Sequence, residues 1–212
     1  MNHTESLVMK CALTRYSASQ REQSARQEDR LQRQSEFSSL TLLHGSVSEE
    51  MIIARLQDHR SMIEQNPLVI HYERCPAPAN VPDESVHVWF TLTDRIDYLP
   101  GLLQGKIHYH ASFHDTPRGL RTHIHAPLGV EIWNEWTVCS NRTGSEVEPE
   151  LKDKPEGVYL REKVELRCPL GMAFFVRRNI EKSHSTLVER LSESVAGAAM
   201  EGHGHGGAKY LS

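Results

Sequence analysis

The chain has 212 residues, 38% of them hydrophobic, with 24 lysines and arginines against 28 aspartates and glutamates. The resulting charge of −4 argues against a dedicated nucleic-acid binder, which carries a basic patch or stripe, and no apolar run approaches the ~18–20 residues of a membrane-spanning helix. A chain of this length can bury a core of its own as one domain, without a metal or disulfides to hold it.

The first residues, MNHTESLVMKCALTRY, lack the continuous apolar stretch of a secretory signal. Cys11, Cys75, Cys139 and Cys168 form no CxxC pair and no zinc-site spacing, so they read as free thiols of a reducing, cytoplasmic compartment. The sequons at Asn2 and Asn141 are then chance matches.

Residues 17–38 hold five glutamines and eight charged residues, with only Leu31 and Phe37 as large apolar groups. Such a segment buries too little surface to offset its ordering entropy. Residues 1–38, including the short patch Leu7-Val8-Met9, are therefore expected as a polar extension, partly disordered or helical. The tail AGAAMEGHGHGGAKYLS is small and Gly-rich, and disorder is expected over 199–212, with His203 and His205 a weak metal lure. The domain proper is expected over 39–198.

That domain opens with a strand at Ser39–His44. Ser46 and Glu49 match a capping box, and Ile52, Ile53, Leu56, His59 and Ile63 recur at helical spacing, predicting one helix of about 18–19 residues that Asn66-Pro67 ends. A strand over Leu68–Arg74 runs into the proline-rich Cys75–Pro82 turn. Ser85–Asp94 alternates as a strand, and Arg95–Gly105 reads as a linker. Strands over Lys106–His114, Leu120–Ala126 and Val130–Cys139 follow, joined by turns at Pro117-Arg118-Gly119 and Pro127-Leu128-Gly129. After a polar loop, Val158–Cys168 alternates Val158, Leu160, Glu162, Val164 and Leu166 against Tyr159, Arg161, Lys163, Glu165 and Arg167. The second set is too charged to be buried unpaired, so the first set faces the core. The last element is a helix of about 27 residues starting at Pro169, with Ala173, Val176, Ile180, Leu187, Leu191 and Val195 in one stripe and His184 in its gap.

Helices set apart from an antiparallel meander indicate an α+β fold: a curved antiparallel sheet gripping a long C-terminal helix. In element order, in the GLRTHIHAPLGVEIWNEWTV hairpin and in the terminal PLGMAFFVRRNIEKSHSTLVERL helix, the chain resembles the START-like, Bet v 1-like (helix-grip, polyketide cyclase-like SRPBCC) superfamily, and it is also similar to a fungal branch of it. The likeness covers residues 39–198 and departs at the first helix, where the family has two short helices. It implies a cavity between sheet and long helix that holds a hydrophobic small molecule. The superfamily has no universal catalytic motif, so no catalytic residue and no cofactor is implied.

Within the predicted core parity, Tyr109, Thr122, Asn134 and Glu162 are polar among apolar neighbours. A few convergent polar groups in an apolar cavity orient a ligand, so these four are the candidate ligand-binding residues. Should chemistry occur, Glu162 is the candidate general acid or base, with Tyr109 and Asn134 as donors to an enolate. The alternative is that these sit at strand ends near solvent, or that a bulge has flipped them.

The histidines form a second constellation. His108 with His110, and His123 with His125, each share a strand face because side chains repeat every two residues. Imidazole suits Zn, Cu, Fe or Ni, and Glu131 or Glu135 would complete a cupin-like site. Parity nevertheless puts these rows on the outer, wet face, together with Trp89 and Trp133, and aromatic groups there imply a covered face, as in a homodimer. No G-x-S-x-G elbow, dinucleotide fingerprint or P-loop is present.

The primary expectation is a carrier of a lipid, polyketide or terpenoid-like molecule. A cofactor-independent cyclase, isomerase or dehydratase of secondary metabolism on the same fold is the second, and a metal-dependent cupin-like enzyme the third.

Overall fold

The computed structural model describes residues 32–43, 47–79, 81–99, 103–141 and 149–203. The polar segment before Gln32, the Leu7–Met9 patch, Ser46, Pro100-Gly101 and the tail from residue 204, with His205, lie outside the described residues.

Among the described residues, seven antiparallel strands form one sheet: β1 (Gln32–Leu43), β2 (Val69–Cys75), β3 (Val88–Leu99), β4 (Leu103–Thr116), β5 (Gly119–Ala126), β6 (Val130–Ser140) and β7 (Val158–Pro169). Their order in space is β1-β7-β6-β5-β4-β3-β2. Two short helices, α1 (Glu49–Gln57) and α2 (His59–Gln65), follow β1, and the long helix α3 (Ala173–His203) closes the chain. The fold is α+β, with α3 packed along the inner face of the sheet. No helix among the described residues is long and apolar enough to cross a membrane.

Four boundaries differ from the sequence reading, each for a local reason. β1 begins at Gln32 and pairs with β7 from Gln32↔Pro169 to Leu43↔Val158, so residues 32–38 belong to the domain. An edge strand needs little burial of its own, because the ladder satisfies its backbone, and Phe37 supplies its apolar contact with β7. The predicted single helix is two. Asp58 leaves the helical region (φ −77°, ψ 81°) and its carboxylate accepts from Ser61 N, capping α2. The N-cap of α1 is Ser48, which accepts from Met51 N. β3 and β4 run through much of the predicted linker, pairing from Val88↔Phe113 to Leu99↔Leu103. At the far end, Pro169 finishes β7, a tight turn over Leu170–Met172 intervenes, and α3 runs on to His203, past the predicted start of the tail. At 31 residues it is about 45 Å long.

Inward alternation holds along β6 and β7. Val130, Ile132, Asn134, Trp136 and Val138 are buried on β6, and Val158, Leu160, Glu162, Val164 and Leu166 on β7. The core divides along α3. Leu187, Val188, Leu191 and Val195 pack with Leu120, Trp136 and Leu160 and with Ile52, Leu56, Met62 and Ile63 of α1 and α2. Ala173 and Ile180 join Val130, Ile132, Val164 and Leu166.

One glycine is forced by close approach. A Cβ on Gly119, where β5 leaves its hairpin turn, would stand 1.9 Å from the carbonyl oxygen of Trp136 and 2.9 Å from its carbon. Glycine in a strand marks such an approach. Gly119→Ala is therefore expected to cost roughly 2–4 kcal/mol in urea denaturation. A loss below half of that range would show that β5 and β6 can separate locally at little cost.

Candidate functional site

A hollow of about 520 Å³ lies between the sheet and the first half of α3. Its walls are mainly apolar: Ile107, Ile124, Val130 and Ile132 from the sheet, and Met172, Phe175, Val176 and Ile180 from the helix side. Leu128 stands at its edge, 72% exposed, in a turn where Leu128 and Gly129 both take positive φ (64° and 71°). A smaller void of about 60 Å³ adjoins it and shares Tyr109, Ile124 and His184 as lining.

The alternation that makes this wall apolar also brings a few polar groups onto it. Asp94 shares the inward parity of Phe90 and Leu92 on β3, and its Oδ1 accepts from Tyr109 Oη at 2.9 Å. Both line the main cavity. Burial pushes the Asp94 carboxyl up to about 6, and the Tyr109 bond only partly offsets it. Burial also raises Tyr109 well above the usual phenol range, reinforced by the neighbouring Asp94 charge.

The second polar group comes from the helix. His184 fills the gap in the apolar stripe of α3, and its Nδ1 donates to Oε1 of Glu162 in a short buried contact. Oε2 of the same carboxylate accepts from Ser39 Oγ at 3.2 Å. The imidazole also lies against Trp136, with ring centroids 5.4 Å apart. His184 lines both hollows, whereas Glu162 lines neither and sits behind the ring. A ring nitrogen bound to a carboxylate is fixed in orientation and tautomer, which leaves the other nitrogen for a ligand.

The third group is Asn134 with Thr122. These are cross-strand partners, and Asn134 Nδ2 donates to Thr122 Oγ1 at 3.0 Å. Both line the smaller void, and Asn134 Oδ1 is buried without a hydrogen-bond partner.

Of the four residues singled out by parity, Tyr109 lines the main cavity, Thr122 and Asn134 line the adjoining void, and Glu162 is withdrawn from both. Parity alone cannot tell a side chain facing the hollow from one covered by the helix. Two groups at the site were missed, although both carried a signal. Asp94 continues the inward parity of Phe90 and Leu92, and His184 is the one polar interruption of the α3 stripe.

The histidine rows lie on the other face, as parity predicts. Only His108 reaches the rim of the cavity, where its Nδ1 meets Thr93 Oγ1 at 2.8 Å. His110 pairs across the strands with His125, and Cys75 Sγ lies 3.9 Å from its Nδ1. The cupin-like reading is therefore corrected, because the fold is a helix grip and the rows do not surround the hollow. Part of the cover over this face comes from the chain itself. The turn over Pro82–Glu84 folds onto it, and Trp89, 1% exposed, donates its indole N–H to the Glu84 carbonyl at 2.9 Å. Asn141, at one of the sequons, has a structural task. Its amide nitrogen donates to the carbonyls of Leu151, Lys154 and Pro155, and its oxygen accepts from Gly157 N.

Comparison with known proteins adds three findings. A family model described as a domain of unknown function, DUF7053, matches residues 32–197. No curated protein matches the chain. Among solved structures, the chain is similar to the di-domain ARO/CYC StfQ from the steffimycin biosynthetic pathway, at 11% identity and a TM-score of 0.54, over 79% of this chain and 52% of that one. The chain thus spans about half the length of that protein. It is also similar to Ara h 8.0201, at 10% identity and a TM-score of 0.50, over 78% of this chain and 99% of that one. At these identities the likeness is one of fold, the START-like, Bet v 1-like helix grip.

The Asp94 carboxyl yields a pH test. Its folded pKa of about 6 lies above the ordinary 3.8, so the folded state holds the proton more tightly than the unfolded chain. The stability this group contributes is complete below about pH 4 and is lost as pH rises through about 6. The loss is on the order of 2–3 kcal/mol, at 1.36 kcal/mol per unit. In urea denaturation, wild type should lose this amount relative to Asp94→Asn between about pH 4 and pH 7. A difference that stays constant across that range would mean that Asp94 is hydrated.

Proposed function

The chain belongs to the DUF7053 family, and on that premise we propose that it binds an apolar or amphipathic small molecule, of lipid, polyketide or terpenoid-like character, between its sheet and α3. The observation that carries this reading is the 520 Å³ hollow, walled mainly by apolar side chains, with Asp94, Tyr109 and His184 among its polar groups. Ligand sites are typically clefts of about 300–1,000 Å³, mostly apolar, with a small number of placed polar groups. Each methylene moved from water into such a wall contributes about 0.8 kcal/mol. Ten of them give roughly 8 kcal/mol gross, from which the ordering cost of association is subtracted. The polar groups set orientation: Asp94 accepts from, or when protonated donates to, a ligand oxygen, and His184 presents its free ring nitrogen.

An apolar naphthylamine dye serves as the probe. It should bind the full chain and be displaced by fatty acids or aromatic polyketides. Ala126→Phe, which puts a ring into the hollow from the end of β5, should weaken dye binding at least about tenfold while the melting temperature holds. Failure of the dye to bind, or unchanged affinity in the folded variant, overturns the reading.

A second reading rests on one specific observation, the buried Glu162–His184 pair behind the cavity wall. It is a cofactor-independent cyclase, isomerase or dehydratase, a reading supported by the same fold in a protein named ARO/CYC. His184 would take a proton from a carbon acid, and protonated Asp94 would hydrogen-bond to the carbonyl oxygen as charge develops there. In this reading Glu162 positions His184 without touching substrate. Glu162→Gln discriminates the two readings. A carrier keeps its dye affinity and has no turnover to lose. A catalyst keeps its dye affinity while conversion of a poly-β-ketone panel, followed by mass spectrometry, falls about 100-fold.

A further inference from the structure

The outer face of the sheet holds a cluster that takes no part in the cavity. His123 and His125 project from β5 on the same face, two residues apart. Glu84 reaches them from the turn that folds over this face. Oε1 of Glu84 lies 2.5 Å from His123 Nδ1, and Oε2 accepts from Ser112 Oγ at 2.6 Å. The two imidazoles are in contact, with centroids 3.8 Å apart. One donor atom from each of Glu84, His123 and His125 lies within 4.8 Å of the others.

We infer that Glu84, His123 and His125 form a binding site for a first-row divalent cation, Zn²⁺ foremost, on the outer face of the sheet. Two independent observations carry this. The first is the gathering of donors. Ligands at about 2.0–2.1 Å from a tetrahedral ion stand roughly 3.3 Å apart, so closing the three atoms onto one ion takes shifts of about 1 Å or less. The second is an unexplained cost. Nε2 of His123 and Nε2 of His125 are both buried without a hydrogen-bond partner. A buried polar nitrogen left unpaired is destabilising. The Glu84–His123 hydrogen bond accounts for one nitrogen of one ring and leaves both Nε2 atoms unexplained. A cation on Nε2 of His125 removes that cost for that ring; at His123, Glu84 and the ion meet the ring on its Nδ1 edge, so ligation there replaces the Glu84 hydrogen bond.

The surroundings suit a held ion. Trp89 stacks on His125 at 5.5 Å and 25°, and Trp133 stacks on His123 at 4.5 Å and 23°, so both rings are clamped. Glu131 Oε1 stands 3.9 Å from His125 Nδ1, an ion-pair distance and not a hydrogen bond. Glu84 is held by Ser112 and by the Trp89 bond to its own carbonyl. Two imidazoles and one carboxylate are a zinc donor set that leaves a fourth position for water or substrate. Hard cations such as Mg²⁺ and Ca²⁺ prefer all-oxygen shells. A polar groove of about 840 Å³, lined by Glu84 and His123 among others, provides access.

The test uses the metal-stripped full chain, titrated with Zn²⁺ against a chromophoric chelator. One equivalent should bind, and about 100-fold more weakly in Glu84→Gln and in His125→Gln. The double variant His203→Gln/His205→Gln should retain the site, which excludes the tail. Co²⁺ should give visible d–d absorption and quench tryptophan fluorescence, with part of the quenching lost in Trp133→Phe. Circular dichroism melting verifies folding. If His125→Gln fails to fold, Glu84→Gln, on the turn rather than in the sheet, together with the Co²⁺ quenching decides. Less than a tenth of an equivalent bound by wild type overturns the inference. So does wild-type affinity in Glu84→Gln, or binding that disappears with the tail histidines.

Discussion

Partway along its length the long helix meets the sheet at a buried polar contact, His184 on Glu162. Both residues are more than nine-tenths buried. A carboxylate withdrawn from water costs several kcal/mol unless it is paired and hydrogen-bonded, and here His184 and Ser39 occupy both of its oxygens. An apolar stripe by itself lets a helix slide or roll over a greasy surface, since one aliphatic contact can replace another. A buried polar pair does not allow that exchange. It sets the axial position of α3, so that Leu187–Val195 closes on α1 and α2 while the first half of the helix stands over Val130, Ile132 and Ile124. The location of the hollow follows from this register.

Inside the hollow, polar groups are largely satisfied by one another. Tyr109 donates to Asp94, Asn134 donates to Thr122, and Glu162 holds His184. Such mutual pairing keeps an apolar pocket from carrying unpaired donors when no ligand is bound, and it leaves a few acceptors to orient one. The two carboxylates differ in environment. Asp94 has one neutral hydrogen-bond donor, and its pKa rises. Glu162 is engaged at both oxygens.

The two faces of one sheet separate two chemistries through strand periodicity alone. The inner face is aliphatic with a few polar groups, and the outer face is imidazole, indole and charge. The outer face is partly closed by the turn carrying Glu84, which explains why Trp89 is buried although it points away from the core. The proposed cation site and the proposed cavity therefore share β5, through Ile124 on one side and His123 and His125 on the other, without sharing a side chain.

Much of the fold was legible in the sequence, because its strands alternate with a strict period of two and its final helix with a period near 3.6. The charged set on β7 decided which side was the inside, and that decision carried over to β4, β5 and β6 through pairing. Tyr109 and Asn134 were found on the inner face by the same rule. The extent of β1 was hidden, since an edge strand rich in glutamine is held by backbone ladders that composition does not report. The break at Asp58 was hidden too, because a capping carboxylate inside an amphipathic stretch looks like any exposed acid until its φ and ψ are known. What only the tertiary structure decided was which distant residues meet: His184 with Glu162, Asp94 with Tyr109, Glu84 with His123. Periodicity assigns a side chain to a face, whereas a contact between elements depends on register and crossing geometry, which arise only once the chain has packed.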